Sequence, residues 1–284
     1  MLLEKVFPDY ELYMEHKERS PMTITGYMQD MNFFKKWLEK EWNGPVYLED
    51  LTFKDAEDFL RYLKEERNYK PASRKRAAVA LKAFFKYAWK RELCSEDIAS
   101  QIESVKCVPK EREYLTEEEA LDFIKEIQHP LIEIFTKTLF YTGLRLSEAL
   151  SLTVDDVDLE SGWINIRHGK GNKPRKVPIC KKLEAVLKDY VEWRADSPKF
   201  FATQKTGSLS TARVQAVIRE TRKRIGAKKH ITAHMFRHSF ASQLVKKDVN
   251  IVSISKLLGH SNLKTTSIYT HASKEQLLEA ISVL

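Results

Sequence analysis

A chain of 284 residues with 43% hydrophobic and 31% charged side chains has apolar material enough for two ordinary domains with a sizeable core. Its three cysteines, Cys94, Cys107 and Cys180, are widely spaced and odd in number, which excludes a disulfide framework or paired-cysteine metal knuckle and suits a reducing cytosol. Met1 to Tyr10 already carries Glu4, Lys5, Pro8 and Asp9, and no apolar run is long enough to span a bilayer, so neither a signal peptide nor a membrane partner is expected.

The net charge of +8 is unevenly placed: residues 1–107 carry 19 basic and 19 acidic side chains, residues 108–284 carry 29 and 21. Arg67 to Arg91 holds nine basic residues and no acidic one, Arg167 to Lys182 holds seven and none, and Arg219 to Lys229 holds six against Glu220 alone. Any one cluster reads as a solvated face. Three of them, spread over both halves, point to a shared polyanion, and nucleic acid is the expected partner.

In chain order, Ser20-Pro21 is an N-cap followed by proline at the first helical position, and Ile24, Tyr27, Met31, Phe34 and Leu38 then recur at helical spacing. Thr52 caps a further helix carrying Ala56, Phe59, Leu60 and Leu63. Pro71 opens a third, in which Ala77, Leu81, Phe84, Phe85 and Ala88 interleave with Arg74, Lys75, Lys82, Lys86 and Lys90. One face can pack while the other meets phosphates, and the aromatics read as core. The polar stretch around Pro109 sets the boundaries: a helical N-terminal DNA-binding domain over 1–107, a linker over 108–113, and a second domain over 114–284 opened by the capping box Thr116-x-x-Glu119. Helical patterns reach about Leu152. Residues 163–167 and 176–179 then read as a β-hairpin around the turn His168 to Pro174, with Trp163, Ile164 and Ile166 as sheet packing. The remainder reads as helical, closing on an amphipathic tail helix over 273–284.

Four segments of the second domain carry chemistry in combination. Thr142-Gly143-Leu144-Arg145 places an arginine at a glycine turn before a helix, with Glu148 one turn on. Gly169-Lys170-Gly171-Asn172-Lys173 is a hairpin tip bearing lysines, with Arg175 just beyond. His234-x-x-Arg237 puts a histidine and an arginine three apart on one helix face, and Gly259-His260 precedes Tyr269 by nine residues from the histidine. Singly, each is an ordinary capping charge, turn residue or packing aromatic. Together they offer phosphoryl transfer without a metal. Two arginines can grip non-bridging oxygens, histidines can hydrogen-bond or move protons, a lysine can protonate a leaving oxygen, and a tyrosine can attack. A phenol with a reference pKa of about 10 needs such concentrated positive charge.

These segments resemble the tyrosine recombinases, the group that contains phage integrases and the Xer proteins. TGLRLSEAL, HGKGNKPRKVPI, HMFRHSFASQL and LLGHSNLKTTSIYTH carry the resemblance strongly over Tyr114 to His271, and TITGYMQDMNFFKKWL and SRKRAAVALKAFFKYA carry it more loosely. The resemblance implies a mainly α fold with a small hairpin or sheet, in which a helical core-binding domain is joined to a mixed α/β catalytic domain. It implies Tyr269 as nucleophile forming a 3′-phosphotyrosine, Arg145 and Arg237 on the phosphate, and Lys170 as general acid with Lys173 as its rival. His234 would assist proton transfer, His260 would hydrogen-bond the phosphate, and Glu148 would support the site from behind. Arg74, Lys75, Arg76, Lys82, Lys86, Lys173 and Arg175 are DNA-binding candidates. No metal or cofactor is expected. The implied partner is double-stranded DNA with an inverted-repeat core site, bound by a homo-tetramer joined through the C-terminal tail, in the cytoplasm with the nucleoid.

Competing readings fit less of the pattern. A DNA-binding regulator explains the charge but not the Arg/Lys/His/Tyr set. A metallohydrolase could use His234 and His238, but Met235 stands where HExxH needs glutamate. P-loop chemistry lacks GxxxxGK[ST]. A type IB topoisomerase shares the chemistry, but the helical N-terminal half and the GKG hairpin favour recombination. Within recombination, the HMFRH phrase and the tail SKEQLLEAISVL lean toward a mobile-element resolvase or integrase, with a Xer-like chromosome dimer resolvase as the alternative.

Overall fold

The computed structural model describes residues 1–107, 113–167 and 174–259. Two compact units divide the chain, Met1–Lys110 and Glu111–Leu284. Most of the expected linker, the hairpin tip and the C-terminal tail helix lie outside the described residues.

The first unit is helical: α1 (Leu3–His16), α2 (Pro21–Glu41), α3 (Phe53–Glu65), α4 (Pro71–Lys90) and the single turn α5 (Ile98–Gln101). Ser20 caps α2 by accepting the Thr23 amide at 3.3 Å, with Pro21 at the first helical position where no N–H is needed. At α3 the cap works in the other direction, since the Asp55 carboxylate accepts both the Thr52 amide (2.8 Å) and the Thr52 hydroxyl (2.7 Å). The helix α1 is not signalled by the sequence because Pro8 lies inside it. Pro8 sits on the solvent face, while Leu3, Val6, Phe7, Tyr10 and Met14 form the buried stripe. The core is aromatic. Phe34, Phe59, Phe84 and Phe85 are buried, with Phe34 and Phe59 centroids 5.1 Å apart and Tyr10 edge-on to Phe84 at 5.2 Å. Each such fully buried side chain contributes about 1.5–3 kcal/mol.

The second unit opens with α6 (Glu117–Lys125), where Thr116 and Glu119 form the reciprocal box expected from sequence. The helix α7 (Pro130–Thr142) is buried nearly all round, so it is the central element, packing against α6, α9 (Lys181–Trp193) and α11 (Ala233–Lys246). Its buried threonines hide their hydroxyls by donating to carbonyls four residues back, Thr136 to Ile132 (2.6 Å) and Thr138 to Ile134 (2.9 Å). After α8 (Leu146–Ser151) comes an antiparallel sheet, β1 (Val157–Asp158), β2 (Trp163–Ile166) and β3 (Arg175–Pro178), in the order β1-β2-β3. Val157 pairs with Ile164, Ile164 with Val177 and Ile166 with Arg175, which puts Ile164, Ile166 and Val177 on the core face. Trp163, read from sequence as sheet packing, instead stands 40% exposed, because period-two alternation sends it to the other face from Ile164. The strand β1 is too short for a sequence signal. The helices α10 (Thr211–Arg224) and α12 (Ile251–Leu258) follow among the described residues of the unit.

Candidate active site

Two helix ends and one helix start converge on the arginines. The helix α7 stops at Gly143 and α12 stops at Gly259, both with left-handed backbone (φ 64° and 63°). Glycine is required at 143 on steric grounds too: a Cβ there would lie 2.3 Å from the Phe240 ring and 3.0 Å from Leu258. The tight turn delivers Arg145 as the N-cap of α8, and Glu148, three residues on, accepts the Arg145 amide at 2.9 Å.

The last three carbonyls of the α12 end, orphaned by helix geometry, each receive a different arginine. Arg175 Nε donates to Leu257 O (3.0 Å), Arg237 Nη2 to Leu258 O (2.6 Å), and Arg145 Nη2 to Gly259 O (3.2 Å). Arg237 also reaches the α7 end, donating from Nη1 to Gly143 O at 2.6 Å. It is only 2% exposed, and His234, one turn earlier on α11, is exposed. The His234 ring stands edge-to-face on buried His238, centroids 4.3 Å apart. Beside His234 opens a cavity of about 390 Å³, lined in part by Arg219, Arg222, His230 and Thr232.

Beneath these groups Glu148 is 4% exposed. Its Oε1 accepts Arg145 Nη1 (2.6 Å) and Arg175 Nη1 (3.0 Å), and its Oε2 accepts Arg175 Nη2 (2.7 Å), with Arg237 Nη1 4.0 Å away. Burial alone raises such a carboxyl. Hydrogen bonds from Arg175 and the Arg145 amide, with the Arg175 charge, outweigh it and hold Glu148 down at about 2. The carboxylate is therefore ionised at neutral pH, and three guanidiniums surround one negative charge. That leaves an excess of positive charge able to stabilise an anion.

Arg145, Arg237, His234 and Glu148 are thus brought together on described elements. Lys170, Lys173, His260 and Tyr269 lie outside the described residues. Arg175 departs from its expected place on a DNA-facing surface: its side chain is 10% exposed and committed to Glu148 and Leu257. The sequence signal that could have found this role is its position at the foot of the hairpin opposite Ile166, where an inward-facing strand residue must be satisfied internally. Arg76 stays exposed, but its guanidinium pairs with buried Asp30 at 2.7 Å. Arg74 and Lys82 are half-buried, and Lys75 and Lys86 are exposed. In the other basic clusters Arg167 pairs with Asp156 (2.5 Å), Lys182 with Glu117 (2.8 Å) and Arg224 with Glu126 (3.0 Å). Among the described residues no group of three or more His, Cys, Asp or Glu side chains could hold a metal ion, and no helix is long and apolar enough to cross a membrane.

Two family matches cover the two units: the Phage integrase family over residues 113–276, and the phage integrase N-terminal SAM-like domain over residues 9–92. The chain is similar to the tyrosine recombinase XerA of Pyrococcus furiosus, at 33% identity over 99% of this chain and 94% of that protein. Among solved structures, the XerH site-specific recombinase bound to its difH substrate aligns with TM-score 0.70 at 26% identity, over 92% of this chain and 79% of that one. The Tn1549 transposon integrase in complex with a circular intermediate DNA aligns with TM-score 0.80 over 98% of this chain and 99% of that one, and at 20% identity supports the fold alone. A helical unit joined to a mainly helical unit with a three-stranded sheet, carrying this arginine cluster, defines a site-specific recombinase of the tyrosine type. The chain belongs to the phage integrase family.

Proposed function

We propose that this chain is a Xer-like recombinase that cuts and rejoins double-stranded DNA at an inverted-repeat core site, with Tyr269 as nucleophile. The tyrosine oxygen attacks the scissile phosphorus, the bond from phosphorus to the 5′-oxygen breaks, and a 3′-phosphotyrosine and a 5′-hydroxyl result. Lys170 supplies the proton to the departing 5′-oxygen, His234 assists proton transfer, and His260 hydrogen-bonds the phosphate. Arg145 and Arg237 bind the non-bridging oxygens. Because the phosphotyrosine ester keeps the energy of the broken bond, the 5′-hydroxyl of a second strand can attack it and rejoin the DNA without ATP. Four copies would exchange strands through a Holliday junction, held together by the C-terminal tail, on DNA in the nucleoid.

One observation carries this reading: Arg145 and Arg237 meet on the neighbouring carbonyls of Leu258 and Gly259, the two residues immediately before His260. The phosphate-binding pair and the segment leading to the nucleophile are therefore physically joined. The XerA relative favours the Xer-like alternative over the mobile-element lean of the sequence.

The test uses duplexes recovered by binding selection from a random-sequence library, nicked at successive positions so that a cleaved fragment escapes. The wild-type protein is expected to form a covalent complex resistant to denaturant in excess EDTA and without ATP. Tyr269→Phe is expected to bind the same duplex and form none. A covalent complex persisting in Tyr269→Phe overturns the assignment.

A further inference from the structure

We infer that Arg175 is a positioning residue of this centre, locking the foot of the β2–β3 hairpin to the two segments that present the phosphate-binding arginines. The inference rests on the recombinase reading proposed above. Arg175 is the first residue of β3, directly after the hairpin tip. Its guanidinium forks onto both oxygens of Glu148 (3.0 and 2.7 Å) while its Nε holds Leu257 O at 3.0 Å. The side chain also lies flat against Gly259, where an added Cβ would come within 2.9 Å of Nη1 and 3.0 Å of Cδ and Cζ. Gly259 therefore serves the left-handed end of α12 and, equally, the close approach of Arg175.

Three chain segments meet at this one side chain: the hairpin foot, the start of α8 and the end of α12. The geometry separates Arg175 from its neighbours. Its planar fork is matched oxygen for oxygen by the carboxylate, whereas Arg145 reaches Glu148 through a single side-chain nitrogen. Arg175 fixes the rotation of Glu148 and keeps it ionised, and Glu148 then orients Arg145 through its side chain and its amide. Through Leu257 the same residue fixes the carbonyl row on which Arg145 and Arg237 rest. Removing the guanidinium leaves Glu148 still bonded to Arg145, so the fold can persist while the arginines lose their register.

Misplacing a catalytic group by about 1 Å can cost about 100-fold in rate. On the duplex used for Tyr269, Arg175→Ala is expected to slow covalent-complex formation about 10- to 100-fold, while the Kd for that duplex changes by less than about 3-fold. Arg175→Lys, which keeps the charge and one donor, is expected to recover part of the rate but not all, because it cannot fork. Amide hydrogen exchange in residues 254–259 is expected to accelerate in Arg175→Ala by more than the fall in stability of the whole protein, measured by urea unfolding of the same variant, accounts for. Wild-type rate and exchange in Arg175→Ala overturn the proposal. So does a rate that merely tracks the folded fraction in both variants, or equal losses in rate and affinity, since either marks a structural role only. Should the wild-type protein bind DNA and never become covalently attached, the recombinase reading fails, and the exchange measurement still decides whether Arg175 holds the α12 end.

Discussion

On α4, Lys75 and Lys86 stand in solvent, and among the described residues no ion pair engages them. In the second unit Arg237 is buried and Arg145 and Arg175 are partly so, each bonded to a backbone carbonyl and gathered around one buried carboxylate. The two regions use the same charge for different work. A hydrated lysine on a flexible stem attracts a polyanion from a distance and is indifferent to ångström-scale placement. A guanidinium held at two or more points has a fixed direction and a low-dielectric surrounding, so it can favour one charge distribution over another. Charge counted along the sequence cannot separate these uses; the partner of each cation does.

The contrast would break most visibly at Arg237. Arg237→Ala removes a buried guanidinium that donates to Gly143 O and Leu258 O and is proposed to bind the scissile phosphate. It is expected to lower the rate of covalent-complex formation about 10²- to 10³-fold, with a much smaller change in duplex affinity. A loss of affinity as large as the loss of rate would place Arg237 with the α4 lysines as an attractor.

The effect of Glu148 is next in size. Its carboxyl sits at about 2 in the folded protein against an ordinary 4.5, so the folded state binds its proton less readily than the unfolded chain. The associated stability is fully present above pH 4.5 and is lost as the pH falls toward 2. The shift corresponds to about 3 kcal/mol. Glu148→Gln should therefore be about that much less stable at pH 7 in urea titrations, and the gap from wild type should close across this acid window. A gap that stays constant down to pH 2 would mean that the carboxylate charge contributes nothing and that Glu148 acts by shape.

Much of this was legible in the residues, and the rest was hidden for physical reasons. The helices α2, α3, α4 and α6 announced themselves through Ser20, Thr52, Pro71 and Thr116, because caps and first-turn prolines are local devices. The helix α1 was masked by Pro8, which lies inside it on the solvent face while the buried stripe holds the helix. At the site, Gly143 and Arg145 are near neighbours in sequence, and their joint role could be read there. Arg175 meets Glu148 across 27 residues and Leu257 across 82. No spacing rule spans those separations, so a buried strut looked like one more basic residue beside a lysine-rich turn. Arg76 was misleading for the same reason, since its partner Asp30 lies two helices away from it in the chain.

That last pair gives the finest test of the contrast. Lys75 and Arg76 are adjacent, both cationic and both exposed, so a reading by charge density treats them alike. Only Arg76 has an internal partner, 2.7 Å from a carboxylate whose burial raises its pKa and whose pairing with Arg76 opposes that rise. Lys75→Ala and Lys86→Ala should each weaken duplex binding several-fold regardless of sequence, and each should flatten the slope of log affinity against log salt by about 1. Arg76→Ala should leave that slope nearly unchanged. It should instead lower the stability of the first unit by about 1–2 kcal/mol, discounted because half of the Arg76 side chain is in solvent. The measurements are binding isotherms at four or more salt concentrations and urea unfolding of each variant. Arg76→Ala flattening the salt slope as much as Lys75→Ala would show that the guanidinium leaves Asp30 for a phosphate when DNA is bound. The division between attracting and structural cations on α4 would then describe only the free protein.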